Sequence, residues 1–419
     1  MTDTIEQLIH DMGKDARNAG RKLAITPSDL RKAGILTLAD GLEARVDDIL
    51  RANQLDLEAG KNLSAALQDR LALTKERIEG AAAGLRVVAE LADPVGSVMD
   101  AWDRPNGLKI ERVRMPFGVV AVIYEARPLV TVDAAALCLK SGNAVILRPG
   151  SDSLHTSKML GDIMTEAFHK VGLPQGTAQV VPTPDRAAVG ALLAGAGGHV
   201  DVVVPRGGRS LVERVQKEAR IAVIGHLEGL CHLYIDKDAL PQMAVDVTVN
   251  AKMRRTGICG AAETVLIDKA AAETMVPQLT EALTQAGCEV RGDQASCAFD
   301  DRIIAATEDD WHTEYLGPII TMGVVDGVEG AIQHIAQYGS GHTESIITED
   351  DEVATAFLAS VDSSIVMHNA STQFADGGEF GMGAEIGIAT GRLPPRGPVG
   401  AEQLTTFKYV VHGSGQTRP

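Results

Sequence analysis

Val119-Val120-Ala121-Val122-Ile123 and Ala144-Val145-Ile146-Leu147 are the two stretches whose reading decides the fold. Each is a short, unbroken apolar run, the pattern of a strand buried on both faces. Between them, Val130 to Lys140 reads as a helix. A helix near Leu154 to Lys170 follows, then a strand at Ala178 to Val181, a helix near Asp185 to Leu193 and a strand at Asp201 to Val204. Strands and helices alternating in this way make a parallel sheet covered by helices on both faces, so the fold class is α/β.

Outward from this block the pattern repeats. After Leu230 the strand candidates are Leu233 to Ile235, Thr264 to Ile267, Ile319 to Val325, Ser345 to Ile347 and Ser364 to Val366. Helical segments such as Ala270 to Ala286 fall between them, which reads as a second α/β domain. The first hundred residues read as helical. Thr26-Pro27-Ser28 offers a capping residue and a proline at a helix start, and Leu63 to Leu91 has apolar residues at helical spacing. Pro94-Val95-Gly96 marks a break. Leu108 to Met115 alternates like a half-exposed strand until Pro116 interrupts it. Thr405 to Val411 alternates like an edge strand and is expected to pair with the Leu108 to Met115 ribbon of another subunit. The sequence shows no internal repeat and no low-complexity segment.

At about 150 residues per domain, 419 residues make two or three domains. Hydrophobic residues at 45% and charged residues at 23% exclude disorder, collagen and coiled coil. A formal charge of −17 argues against a bulk nucleic-acid binder, so an anionic ligand needs a local basic site. No apolar run approaches the roughly 18 residues of a membrane span. Asp3, Glu6 and Asp11 near the N-terminus argue against a secretory or transit segment, and the expected location is the cytoplasm. The five cysteines are odd in number and lack Cys-x-x-Cys spacing, which argues against a disulfide framework or a structural zinc site. Without a His-x-x-x-His pair, a helix-borne metal site has no support.

Asn250 to Gly260 carries the most chemistry. It sets Cys259 between Gly257 and Gly260, downstream of Lys252, Arg254 and Arg255. Glycines permit a tight loop, and nearby cations favour the thiolate that acts as nucleophile. The segment fits a buried structural cysteine equally well. Cys138, Cys231, Cys288 and Cys297 have no such surroundings.

Two strand-to-helix turns are candidate anion sites. In Arg148-Pro149-Gly150-Ser151, the free amides of the following helix, the glycine and the arginine suit a phosphate or a ribose. In Gly207-Gly208-Arg209-Ser210, after Arg206, glycines and arginines would form an anion nest. Each alone reads first as an ordinary turn, since neither is a Gly-x-Gly-x-x-Gly fingerprint. Two of them after parallel strands favour a nucleotide at the sheet's carboxyl edge. Glu314, just before a strand, could bind a ribose hydroxyl or simply be solvated. In Gly225-His226-Leu227-Glu228-Gly229, His226 or Glu228 could serve as acid or base; a histidine held by a local hydrogen bond fits as well.

In this order the segments resemble the gamma-glutamyl phosphate reductases, or glutamate-5-semialdehyde dehydrogenases, of the aldehyde dehydrogenase superfamily. The resemblance runs through Val120 to Pro128, Cys138 to Ala144, Pro205 to Gly208, Gly225 to Gly229, the cysteine segment, Val361 to Ser364, Asn369 to Thr372 and Arg396 to Lys408. It implies an aldehyde dehydrogenase-like fold with two doubly wound parallel-sheet domains and a small β oligomerisation flap. The expected cofactor domain takes 1–103 and 117–229, with 368–400 returning to it. The catalytic domain takes 230–367, and the flap 104–116 and 401–413.

The implied reaction is NADPH-dependent reduction of L-glutamyl 5-phosphate to L-glutamate 5-semialdehyde and phosphate, through a Cys259 thioester, in proline biosynthesis. Arg127 and Arg255 are the expected phosphate ligands, and Asn369 and Ser371 the glutamyl ligands. The resemblance also implies a homo-oligomer, dimer or tetramer, and functional coupling to glutamate kinase.

Three positions depart from ordinary aldehyde dehydrogenases. His226 stands where those enzymes carry the glutamate that activates deacylating water. Arg127 stands where they carry an oxyanion-hole asparagine. Arg148 and Ser151 replace the lysine and glutamate of the adenosine ribose site, which favours a 2′-phosphate, although Asp152 is adjacent. Three rival readings remain. A hydrolytic dehydrogenase needs a water-activating base; a cysteine hydrolase needs a histidine beside Cys259 and no dinucleotide; a binding protein would rely on the Pro205 to Arg209 turn.

Overall fold

The computed structural model describes residues 2–418. The chain divides into two compact units. One holds the chain up to Gly225, Gly381–Gly387 and the stretch from Val399 on; the other holds His226–Phe380 and Ile388–Pro398.

The first unit begins with helices α1 (Thr2–Leu23), α2 (Ser28–Ala44), α3 (Val46–Ala59), α4 (Ala65–Leu71) and α5 (Lys75–Glu90). The long helix expected over Leu63 to Leu91 is broken in two. Ser64 and Thr74 cap α4 and α5 by accepting from Leu67 N and Arg77 N, and Asn53 bridges the break through Leu71 O and Leu73 N. The expected cap before α2 does not form. Thr26 Oγ1 turns back and donates to Lys22 O at 2.9 Å, leaving Pro27 as a cap without a side-chain bond.

Two strands, β1 (Val98–Asp103) and β2 (Lys109–Pro116), lead into the sheet. The order is then β3 (Val119–Tyr124), α6 (Val130–Lys140), β4 (Ala144–Pro149), α7 (Leu154–Lys170), β5 (Ala178–Val180), α8 (Arg186–Leu193), β6 (Val202–Arg206), α9 (Arg209–Glu218) and β7 (Ala222–Val223). The five strands are parallel in the order β5-β4-β3-β6-β7. All of β3 and β4 is buried, as their unbroken apolar runs require. Gly118 admits β3. Its φ is +125°, and a Cβ there would lie 2.4 Å from Asp201 Oδ2, which accepts from Val119 N.

The second unit runs β8 (Cys231–Ile235), α10 (Pro241–Met253), β9 (Ala262–Asp268), α11 (Ala272–Gln285), β10 (Glu289–Gly292), α12 (Gln294–Cys297), β11 (Ile304–Ala305), β12 (Ile319–Val325), α13 (Gly327–Tyr338), β13 (Thr343–Ile347), α14 (Asp351–Ser360) and β14 (Ile365–His368). Its seven-stranded parallel sheet has the order β11-β10-β12-β9-β8-β13-β14. Leu233, Ile235, Val265 and Ile267 face the core under α10 and α11, while Tyr234, Leu266 and Ile346 face that under α13 and α14. Each such Leu or Ile contributes about 1.5–3 kcal/mol by burial. Trp311 packs against Gly323, where a Cβ would lie 3.1 Å from its ring.

Segment 368–400 was expected to return to the first unit; only Gly381–Gly387 and the residues from Val399 lie there. A two-stranded piece, β15 (Ile388–Ala389) with β16 (Gly397–Pro398), belongs to the second unit. Ser364 Oγ donates to Ala389 O at 3.0 Å there. The last strand, β17 (Thr405–His412), pairs antiparallel with β2 of its own chain, from Thr405 opposite Pro116 to His412 opposite Lys109. The partner expected from another subunit is thus supplied within the chain. Asn143 directs this return by accepting from Gly118 N and donating to Leu404 O, both at 2.8 Å. Trp102, Phe407, Tyr409 and Val411 stay exposed on the ribbon.

Asp56 of α3 is buried and accepts from His155 N, Thr156 N and Thr156 Oγ1 at 3.0, 2.8 and 2.6 Å, capping α7 from outside. Asp56→Ala should lower unfolding free energy by about 1–3 kcal/mol, since it removes a cap and strands buried donors. Urea unfolding checks this; an unchanged midpoint would show that α7 needs no external cap.

Candidate active site

In the first unit, β4 and β6 flank β3 on opposite sides, so the sheet order reverses at the carboxyl end of β3. Open α/β sheets take nucleotides at such a point. Arg148 and Pro149 end β4, and Gly150 and Ser151 form its turn. Gly207 and Gly208 follow β6, and Arg209 and Ser210 open α9. The expected cofactor residues of this unit therefore gather at one sheet edge.

The two turns differ. The first amides of α7 were expected to be free for an anion, but Asp56 already takes them. Gly207, Gly208, Arg209 and Ser210 are exposed. There, Gly208 N donates to Glu125 Oε2 at a long 3.3 Å, and a Cβ on Gly207 would lie 2.6 Å from the same oxygen. The chain's own carboxylate occupies this amide, in the place an anion would take. Arg209 Nε donates to Glu213 Oε1 at 2.7 Å.

Arg148 is buried. Its Nη2 donates to Pro184 O at 2.8 Å, while its Nε makes no hydrogen bond among the described residues. Burial pulls its pKa down, against Glu125 and Asp152. Burial likewise pushes the Asp152 carboxyl up. Arg127 is half-buried in the loop after β3, where its carbonyl accepts from Val130 N.

In the second unit every strand of the main sheet runs the same way, so residues just before the strands share one edge. Gly229 precedes β8, Cys259 precedes β9, Glu314 precedes β12 and His342 precedes β13. The cysteine loop lies against the entry to β8. A Cβ on Gly229 would be 2.1 Å from Cys259 O, the same oxygen that accepts from Cys231 Sγ at 3.1 Å. Glu314 Oε1 accepts from Gly229 N at 3.0 Å, so this carboxylate braces the loop. Cys259 is half-buried against Ile365, Ala375 and Ile388. Ala261 N closes the turn on Ile258 O, while the Cys259 and Gly260 N–H groups take no partner among the described residues. Such amides beside a nucleophile suit a developing oxyanion.

Two histidines approach the thiol. A ring nitrogen of His226, one of His342 and Cys259 Sγ all lie within 4.8 Å of one another. His226 Nδ1 meets Ile388 O at 2.7 Å. A carbonyl only accepts, so Nδ1 carries the proton and the lone pair of the neutral ring is at Nε2. His342 is fully buried and its Nδ1 is 2.9 Å from Thr343 Oγ1. Burial pushes the thiols of Cys138, Cys231, Cys288 and Cys297 up, Cys288 to about 11, which holds their protons at neutral pH.

Beneath the loop, Lys252 and Glu263 form a fully buried ion pair at 2.5 Å, with Lys252 Nζ 5.7 Å from the Tyr315 ring centroid. Burial pushes the Glu263 carboxyl up, against the pull of Lys252. Gln373 donates to Ala251 O and Arg255 O at 2.8 and 3.3 Å, fastening the end of α10.

The expected substrate residues are spread out. Arg255 is exposed four residues before Cys259. Asn369 follows β14, at the carboxyl edge, and its side chain bonds Thr348 N and Thr348 O at 3.0 and 2.9 Å. It thus stands at the edge opposite Cys259. Ser371 caps a 3-10 turn by accepting from Gln373 N. Sequence reasoning missed His342, Cys231 and Gln373. For His342 the signal was its place directly before a predicted parallel strand, the same edge position as Cys259.

Residues 2–297 match the model of the aldehyde dehydrogenase family. A gamma-glutamyl phosphate reductase of Mesorhizobium japonicum is 57% identical, aligning 100% of this chain with 98% of its own. One from Parvibaculum lavamentivorans is 56% identical, over 99% of this chain and 98% of its own. The crystal structure of gamma-glutamyl phosphate reductase from Thermotoga maritima has a TM-score of 0.95 at 40% identity, covering 98% of this chain and all of that one.

Two substitutions test the braces. Gly229→Ala should cut alkylation of Cys259 by iodoacetamide and turnover by about 100-fold, as a displacement near 1 Å does, with the circular dichroism retained; unchanged reactivity would mean the loop is not held there. Lys252→Met should cost about 3–5 kcal/mol in urea unfolding, and Lys252→Met with Glu263→Leu much less, because the single change strands a buried carboxylate.

Proposed function

The chain belongs to the gamma-glutamyl phosphate reductases of the aldehyde dehydrogenase family, and from that premise we propose that it reduces L-glutamyl 5-phosphate to L-glutamate 5-semialdehyde and phosphate with NADPH, in proline biosynthesis. One observation carries the reading at the site. The groups gathered on the Cys259 thiol are two imidazoles, which can take its proton and make it the nucleophile. The histidine that a cysteine hydrolase would need is present, but the family argues for the reductase.

Each step falls to named residues. His226 Nε2 takes the thiol proton, with its ring oriented by Ile388 O. The Cys259 thiolate attacks the acyl carbon, the bond from that carbon to the phosphate oxygen breaks, and a thioester remains. The Cys259 and Gly260 amides steady the oxyanion, a contribution of about 3 kcal/mol per donor. Arg255, exposed four residues before Cys259, is the cation for the leaving phosphate. Bound NADPH supplies a hydride to the carbonyl carbon. The chain then releases the aldehyde as the C–S bond breaks and a proton returns to sulfur.

The cofactor residues fit a dinucleotide. Gly207 to Ser210 present an exposed helix start where Glu125 models an anion, and Arg148 keeps a buried, unbonded Nε near the ribose position. Glu314 is occupied with Gly229 and serves the loop before any ribose. The exposed apolar row on β17 suits a homo-oligomer, and the lability of an acyl phosphate favours delivery from a glutamate kinase.

The deciding test is reduction of NADP+ by the purified protein with glutamate semialdehyde, with and without phosphate. Activity should require phosphate and vanish in Cys259→Ser. Phosphate-independent activity yielding glutamate would make it a hydrolytic dehydrogenase. Ser151→Glu should lower the preference for NADP+ over NAD+ by about tenfold, close to 1.4 kcal/mol, as measured by kcat/KM for each; an unchanged ratio would place the 2′-phosphate elsewhere.

A further inference from the structure

We propose that His226, Cys259 and His342 form a site for a thiophilic divalent cation, Zn²⁺ by its chemistry, which reversibly caps the cysteine. The sequence gives no hint of such a site because its three donors come from three separate strand entries, before β8, β9 and β13. One sulfur and two imidazole nitrogens are a donor set that zinc prefers to harder cations. The donor atoms lie within 4.8 Å of one another. Tetrahedral zinc, with bonds of about 2.0–2.3 Å, brings donors to roughly 3.3–3.7 Å apart. About 1 Å of closure is then needed, which rotation of the Cys259 side chain can supply while its carbonyl stays against Gly229.

The second observation is His342. It is 0% accessible, its Nδ1 meets Thr343 Oγ1 and Cys231 Sγ, and its Nε2 makes no hydrogen bond among the described residues. A buried ring nitrogen without a hydrogen bond is costly unless a ligand takes it. The surroundings also resemble a metal's outer shell. Ile388 O holds His226 through Nδ1, and Thr343 Oγ1 sits at Nδ1 of His342, so both rings are oriented from behind. Binding replaces the thiol proton with the metal: the S–H bond breaks, an S–metal bond forms and one proton goes to solvent. Three protein donors leave a fourth position open, the arrangement of an exchangeable site.

The test reads metal binding rather than turnover, so it is independent of the reductase reading. The reduced full-length protein is titrated with Co²⁺ in the absence of dinucleotide. One equivalent should produce a thiolate-to-cobalt charge-transfer band that Zn²⁺ abolishes, and Zn²⁺ should protect Cys259 from iodoacetamide. Cys259→Ser should lose the band, His226→Asn and His342→Asn should each weaken binding at least tenfold, and Cys297→Ser should leave it intact. If His342→Asn fails to fold, the half-buried His226→Asn decides. No band in the wild type, or a band of full affinity in either histidine variant, overturns the site. A band in a protein without phosphate-dependent reductase activity would sink the functional reading alone.

Discussion

Everything at the candidate site depends on how closely Gly229 approaches the Cys259 carbonyl. No side chain fits in that gap, so the cysteine loop can rest directly on the entry to β8. The contact is then locked from both partners, with Cys231 donating to the carbonyl and Glu314 taking the Gly229 amide. The outcome is a candidate nucleophile whose position is set by backbone contacts. Backbone placement is also what leaves two amides beside the sulfur.

The two units use their sheets in opposite senses. In the first, glycines and arginines collect after the strands, where helix starts favour anions. In the second, the chemistry collects before the strands. The rule that ligands lie beyond the carboxyl ends of open sheets points to the other edge there. It would have found Asn369 and Thr348, which tie β13 to β14. Parallel pairing alone explains why residues separated by more than a hundred positions meet at one edge.

What was legible in the sequence follows the range of the interactions. The apolar runs of β3, β4 and β12 report their burial locally, and their bounds are close to those expected. Cys259 stood out as a candidate because its glycines and cations are neighbours in sequence. His342 did not, because its relation to Cys259 exists only through the order β9-β8-β13. The cap on α7 was misread for the same reason: Asp56 lies about a hundred residues upstream, and no local pattern announces that it will spend the helix amides. Thr26, conversely, had a suitable local pattern and a nearer acceptor in Lys22 O.

The scarcity of aromatic residues has a practical side. The chain has two tryptophans. Trp102 is on the exposed ribbon of the first unit, edge-on to Tyr409, and Trp311 is packed beside His334 in the second. Intrinsic fluorescence therefore carries one reporter per unit, one on an exposed ribbon and the other packed among side chains. Two wavelengths in a single denaturation experiment can follow the units separately, as multi-domain chains that depart from two-state melting require.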